Sequence, residues 1–212
     1  MPTAPDEAAT TPDRSLKLEI FLAIGLGLAA VVTATASFQS ALVEDEMIAG
    51  FNRGIKAVDE GGQAFSEAQQ ILSRDQALYI EYNKANFEEQ YTLSTYILTS
   101  LMDPNLREAV EWWRDVSKNA RTPFDEGSPY QLPALDRWES LKQEAGDQFE
   151  AANEADETTD RYDFITVLAA VVLFFFGLAS VVRSPGIRQT FSAMGAVILV
   201  VSIVLLVLVE TA

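Results

Sequence analysis

The stretch FITVLAAVVLFFFGLASVV, residues 164–182, decides the fold class because no charged residue interrupts it. A helix needs about 20 predominantly apolar residues to cross the ~30 Å hydrocarbon core of a bilayer. Two similar runs are LEIFLAIGLGLAAVVTATA at 18–36 and FSAMGAVILVVSIVLLVLV at 191–209. Glu19, in the first of these, is the only charged residue within the three runs. The sequence therefore predicts an all-α integral membrane protein with three transmembrane helices.

The first run also has a second interpretation. Arg14 and Lys17 precede it, and Ala34-Thr35-Ala36 fits the A-x-A cleavage site of a secretory signal peptide. Its apolar stretch is longer than the usual core of a signal peptide, which favours an uncleaved membrane anchor. A cleaved signal peptide is the alternative.

The basic residues next to the spans predict the orientation of the chain in the plasma membrane. Arg14 and Lys17 precede the first span, and Arg183 and Arg188 lie in the short connection RSPGIRQ, so these ends are expected in the cytoplasm. The predicted order is a cytoplasmic tail at 1–17, spans at 18–36, 164–182 and 191–209, an extracytoplasmic segment at 37–163, a basic cytoplasmic loop at 183–190 and an external C-terminus at 210–212.

The charge of the chain is concentrated in one segment. The net charge is −16, and residues 37–163 hold 26 acidic against 11 basic side chains. Such a surface repels nucleic acid and anionic headgroups, and the simplest interpretation is a solubilising acidic coat. The chain has neither cysteine nor histidine, which excludes disulfides and zinc–thiolate or iron–sulfur sites.

Residues 37–163 carry helical patterns that predict an antiparallel helical bundle between the first and second spans. Asp103 and Pro104 suit a helix start, as does Pro133, and four helical segments would close as an up-down-up-down bundle. Gly61-Gly62 is either a turn or a weak point in a longer helix. A predicted helical face contains Leu42, Ile48, Phe51, Ile55, Val58, Phe65 and Leu72, and the predicted core aromatics are Tyr82, Trp112, Trp113, Trp138 and Phe149.

The motifs ATASFQSAL, LREAVEWW, TPF with PYQLP, and DRYDFITVLAAVVLFFFGLAS resemble those of a group of uncharacterised prokaryotic three-span membrane proteins with an extracytoplasmic helical domain. The resemblance covers most of the chain and implies the same layout, but the group brings no established activity and no functional residues. The layout is also similar to the extracytoplasmic four-helix sensor modules of bacterial chemoreceptors, although this chain has no cytoplasmic signalling domain.

Metal and catalytic chemistry find little support in the sequence. Asp156, Asp160 and Asp163 are spaced to share a helix face and are weak candidates for a hard cation, but a solvated helix face is the preferred interpretation. No Ser-x-x-Lys, no G-x-S-x-G and no phosphate-binding glycine loop occurs. We therefore expect no enzyme activity, no cofactor and no metal site.

The stretch NARTPFDEGSPYQLPALDRWESL, residues 119–141, interrupts the helices with Pro123, Pro129 and Pro133. Phe124 and Tyr130 give it an apolar side. This side either covers the end of the bundle, which we favour, or binds a partner.

Together these features predict a non-catalytic membrane protein whose extracytoplasmic bundle senses, scaffolds or regulates a partner. The alternative is a subunit that translocates a small solute or ion through oligomerised spans, but small residues such as Gly25, Gly27, Gly177 and Gly195 are more typical of close helix packing. Besides the lipid bilayer, the expected partners are further copies of the chain or another membrane protein.

Overall fold

The structure, a computed structural model, describes residues 12–117 and 119–211, with side chains from residue 16 onward. Throughout these two ranges the regular structure is helical and no strand occurs. The elements are α1 (Pro12–Phe87), α2 (Tyr91–Tyr96), a π-helix (Ile97–Leu101), α3 (Pro104–Asp115), α4 (Pro133–Val181) and α5 (Pro185–Thr211). The all-α prediction is confirmed.

Three of these helices, α1, α4 and α5, are long and apolar enough to cross a membrane, which confirms the prediction of three candidate spans. The connection between α4 and α5 is shorter than predicted. Residues 185–190, expected in a loop, belong to α5, because Pro185 stands at the helix start, where its missing N–H costs nothing. The first part of the predicted N-terminal tail, residues 1–11, lies outside the described residues.

The chain divides into two compact units. Unit 1 comprises Met1–Phe51 and Glu150–Ala212, and unit 2 comprises Asn52–Phe149. Unit 1 contains all of α5 and the parts of α1 and α4 with the apolar runs. Unit 2 contains the remaining parts of α1 and α4 together with residues 88–132, which we call the connector.

The core of unit 1 centres on Phe176 of α4, whose side chain is fully buried. Its ring fills the space left by two glycines: an added Cβ would lie 2.5 Å from Phe176 Cε2 at Gly25 and 2.8 Å from Cδ1 at Gly195. These two glycines therefore permit close packing of α1 and α5 on α4, as predicted. Gly27 and Gly177 have nothing within 4 Å of such a Cβ and do not share this role.

In unit 2, α1 packs on α4 through small residues. The buried positions on α1, which we call the small-residue seam, alternate in spacing between 3 and 4 and are Gly54, Ala57, Gly61, Ala64 and Ala68. The ring of Phe149 lies against Gly54, where an added Cβ would be 2.5 Å from Phe149 Cε1, and Gly61 faces Leu141 and Trp138. Gly61-Gly62 is therefore part of a continuous helix and not a turn.

Two predictions about residues 37–101 need correction. First, α1 continues without a break to Phe87, and only the short α2 and the π-helix precede Asp103, so the four helical segments predicted for residues 37–163 are divided differently. Second, the predicted apolar face is not the buried one. Ile55, Val58 and Phe65 are exposed, because the close approach of α1 and α4 leaves room only for glycine and alanine between them.

Candidate functional site

The connector is attached to α1 by a buried carboxylate. Asp75 of α1 is completely buried, and its Oδ2 accepts a hydrogen bond of 2.8 Å from the Tyr130 hydroxyl. Its Oδ1 accepts one of 2.9 Å from Arg74 Nε. Arg74 also reaches Asp103 Oδ2 at 3.0 Å. A buried carboxylate is stable only when its oxygens are bonded, so these partners hold the connector in one position.

Asp103 links this network to the start of α3. Its other oxygen, Oδ1, accepts from the backbone N–H of Leu106 at 2.9 Å, and Pro104 occupies the first turn. The predicted N-cap is thus confirmed. Two further bonds within the connector join Asn105 of α3 and Gln131 in both directions, at 2.7 and 3.0 Å.

An aromatic cluster adds further contacts between the connector and α1. Tyr79 of α1 makes edge-on contacts with Trp113, at 5.4 Å between ring centroids, and with Phe124, at 5.9 Å. Phe124 in turn meets Tyr130 edge-on at 4.8 Å. Edge-to-face pairs at these distances stabilise a fold beyond their buried area. Trp113 also donates its indole N–H to the carbonyl of Ala120 at 3.2 Å.

The environment of Tyr130 raises its pKa. Burial has the largest effect, and the hydrogen bond to Asp75 and the charge of Asp75 add to it, because all three disfavour the phenolate. The Tyr130 hydroxyl is therefore kept protonated as a donor. Half-buried Phe124 and Tyr130, the two weak partner-binding candidates, contact Tyr79 and Asp75 of α1. Whether they cover the end of the bundle or bind a partner stays a prediction.

The loop between α3 and Tyr130 also has its own bonds. Asp125 accepts from the Thr122 hydroxyl at 2.7 Å and from the Arg121 backbone N–H at 2.6 Å. These two bonds, the one from Thr122 first, lower the pKa of Asp125. Gly127 has a φ of +87°, a left-handed conformation that favours glycine. The proline-rich segment is therefore a defined turn.

Four large apolar side chains that follow one another closely in the sequence, from the end of α1 to the end of α2, are exposed. These residues, which we call the aromatic surface, are Phe87, Tyr91, Leu93 and Tyr96. Phe87 leaves 89% of its area exposed and Tyr91 64%, although aromatic side chains are normally among the more buried. The sequence patterns did not predict this surface. The sequence feature that corresponds to it is the segment NFEEQY, in which Phe87 and Tyr91 lie on either side of Glu88, Glu89 and Gln90.

The turn that carries this surface is tightly formed. Gln90 N–H bonds the carbonyl of Ala85 at 2.8 Å and Glu89 N–H bonds that of Asn86 at 3.2 Å, the two bonds of a Schellman motif. Glu89 occupies the left-handed position of this motif, with a φ of 57°, where glycine is usual. The π-helix follows α2 directly, and such segments are frequent at functional sites.

The structure does not assemble the weak metal candidates into a site. Asp163 accepts a hydrogen bond of 2.7 Å from Ser40, and Asp160 borders an apolar cavity of unit 1. Among the residues that the structure describes, no three acidic side chains are grouped so that they could hold a metal ion.

The predicted topology determinants belong to the start of α1 and to the region between α4 and α5. Arg188 of α5 lies 3.8 Å from Glu19 of α1, which brings these two helix starts together in unit 1. Arg183 is exposed in the three-residue connection. Lys17 is exposed near the start of α1, whereas the side chain of Arg14 lies outside the described residues.

Two cavities have mainly apolar walls. One in unit 1, of about 520 Å³, is lined by Phe164, Ile165, Leu205, Leu208 and Val209, with Asp160 and Arg161 at its border. The other, in unit 2, has a volume of about 290 Å³ and lies between α1 and α4 beside Val58, Trp138 and Phe149. Lys142 is the one ionisable residue that lines it, and its ammonium group lies 5.3 Å from the Trp138 ring.

Comparison with protein-family models, with curated proteins and with solved structures finds no match to this chain. Its class is therefore defined by its own geometry: an all-helical protein with three helices that could cross a membrane. A second feature of the chain is a connector attached to α1 through a buried carboxylate.

Proposed function

We propose that the chain is a non-catalytic integral membrane protein whose unit 2 lies outside the cytoplasm and binds a partner protein that it scaffolds or regulates. Three apolar helices support the membrane location. The excess of basic residues near the start of α1 and around the connection from α4 to α5 supports a cytoplasmic location of these ends.

The aromatic surface is the observation that carries the binding role. Groups of large exposed apolar side chains on a soluble domain, unlike single ones, mark sites of interaction, because leaving them in water gives up the free energy of burial. Tyr91, Leu93 and Tyr96 belong to the connector, which the bond between Asp75 and Tyr130 holds against α1. Less conformational entropy is therefore lost when a partner binds.

The surroundings of the aromatic surface indicate the chemistry of the partner. Glu88 and Glu89 lie between Phe87 and Tyr91, and residues 37–163 are strongly acidic as a whole. A protein with an apolar patch edged by lysine or arginine would complement this surface, and opposite charges would increase the rate of association.

The translocation alternative gains no support from the hydroxyl groups in unit 1. The buried side chains of Ser192 and Ser202 bond the carbonyls of Arg188 and Ile198 in their own helix, at 2.8 and 2.9 Å. Hydroxyl groups whose hydrogen bonds are made to carbonyls of their own helix do not require a water-filled path.

A photo-crosslinking residue at Phe87 in native membranes tests the proposal, with the same residue at exposed Glu111 of α3 as the matched control. We expect one protein to be captured from Phe87 and not from Glu111. Replacing Tyr91 by aspartate should then abolish co-purification of that protein without changing tryptophan fluorescence. If both positions capture the same proteins, or Tyr91→Asp leaves the captured protein bound, the binding role is refuted.

A further inference from the structure

A second surface of unit 2 lies on α1 directly beside the small-residue seam. Its members, which we call the apolar stripe, are Ile55, Val58, Gly62, Phe65 and Gln69, which are exposed, and Leu72, which is half-buried. Ile55, Val58 and Phe65 leave 53, 52 and 40% of their area exposed. On the side nearest to α4, the Phe65 ring contacts the Trp138 ring, with 5.2 Å between the centroids.

The apolar stripe has the spacing of a coiled coil. Its members alternate between steps of 3 and 4 residues, and each from Ile55 to Gln69 directly follows a member of the small-residue seam. Successive residues on an α-helix are about 100° apart, so α1 carries two heptad faces side by side. The small-residue seam is occupied by α4, and the apolar stripe has the pattern required for packing against one more helix.

The charge distribution favours α1 of a second copy of the chain as the helix that packs on the apolar stripe. Between residues 47 and 73, α1 carries three acidic and two basic side chains, whereas α4 between 133 and 160 carries nine acidic and two basic ones. Two copies of a chain with a net charge of −16 repel each other unless their contact avoids the acidic faces. The face of α1 is the one on which two copies can meet with the least repulsion.

We infer that two copies of the chain pair through the apolar stripe, with their α1 helices parallel. All copies are inserted in the membrane in the same direction, so the same residues of the stripe face each other, as a twofold axis requires. On its outer flank the stripe is bordered by Asn52, Asp59, Ser66 and Ser73. This flank carries a single charge, which favours close approach. A polar residue at one core position, here Gln69, is a feature that fixes the register of parallel dimers.

Disulfide cross-linking of single cysteines in the full-length protein in native membranes tests this inference, because the chain has no cysteine of its own. Ile55→Cys and Val58→Cys, on the apolar stripe, should form dimers severalfold faster than Lys56→Cys and Gln63→Cys, which are also exposed but lie off it. Equal rates at the four positions would indicate random collision and would overturn the inference.

A charge variant provides a second measurement that does not depend on a cysteine in the contact. Val58→Glu brings two like charges together at the twofold axis and should convert the purified protein in nanodiscs from dimer to monomer. The matched variant Gln63→Glu should leave it dimeric, and an unchanged helical circular dichroism spectrum shows that both fold. A wild-type protein that is monomeric, or a stripe cysteine that cross-links to a different protein and not to its own copy, contradicts the pairing.

Discussion

The hydrogen bond between Tyr130 and Asp75 makes the connector a test of how buried polar groups hold this fold. Tyr130→Phe removes the hydroxyl and leaves the ring contacts with Phe124 in place. Asp75 Oδ2 then loses its hydrogen bond from Tyr130 inside a fully buried site. A hydrogen bond to a charged group contributes about 1.5–3 kcal/mol, so we expect the free energy of unfolding to fall by about that amount.

A double-mutant cycle measures how much the charge of Asp75 contributes to the strength of this hydrogen bond. Asp75→Asn keeps an oxygen that accepts from Tyr130 but makes the bond neutral, and a neutral bond contributes about 0.5–1.5 kcal/mol. Tyr130→Phe should therefore cost roughly 1 kcal/mol less in the Asp75→Asn background than in the wild type. Tyr91→Phe, at a tyrosine that is 64% exposed, is the control, and should change the stability by less than about 0.5 kcal/mol.

Urea unfolding in detergent micelles, followed by tryptophan fluorescence, measures these differences. Trp112, Trp113 and Trp138 all lie in unit 2, so the signal reports this unit alone. A loss below about 0.5 kcal/mol for Tyr130→Phe, equal to that of the Tyr91 control, would refute the role of the buried bond.

The same pair of variants gives a pH dependence. The pKa of Tyr130 is higher in the folded protein than in the unfolded one, where a tyrosine titrates near pH 10. Its contribution to stability is complete below about pH 10 and decreases as the pH rises from there towards the raised pKa. The difference in stability between wild type and Tyr130→Phe should therefore shrink above about pH 10. A constant difference from pH 8 to 11 would contradict this assignment.

Three further outcomes are expected. Gly25→Ala should destabilise unit 1 by about 1–3 kcal/mol, because the added Cβ meets the buried Phe176 ring, whereas Gly27→Ala should cost less than about 0.5 kcal/mol. Protease resistance during an SDS titration compares the two variants, and equal losses would refute the packing. Glu89→Gly should raise the urea-unfolding free energy of unit 2 by up to about 1 kcal/mol, since glycine adopts a φ of 57° without strain; a decrease would contradict this. In intact cells an impermeant thiol reagent should label Glu126→Cys but not Gly186→Cys, and the reverse pattern would invert the proposed topology.

The features that the sequence predicted are those with local causes. The three spans follow from uninterrupted apolar runs, and the starts of α3 and α4 follow from Asp103, Pro104 and Pro133. The role of Asp75 could not be read in this way. In the segment SRDQ it looks like an ordinary exposed charge, and its partner Tyr130 is 55 residues away. Only the fold brings the two side chains together.

The buried face of α1 was assigned wrongly for a physical reason that also bears on the paired arrangement. Large apolar residues at heptad spacing usually mark the face that a helix buries in its own chain. On α1 the residue before Ile55, Val58 and Phe65 is glycine or alanine. Phe149 approaches Gly54 so closely that a Cβ there would lie 2.5 Å from its ring. The contact with α4 thus selects small residues, and the large ones remain on the neighbouring face. Two adjacent heptad faces on one helix indicate two helical neighbours. Since α4 occupies the small-residue seam, the exposed face predicts a neighbour from outside the chain.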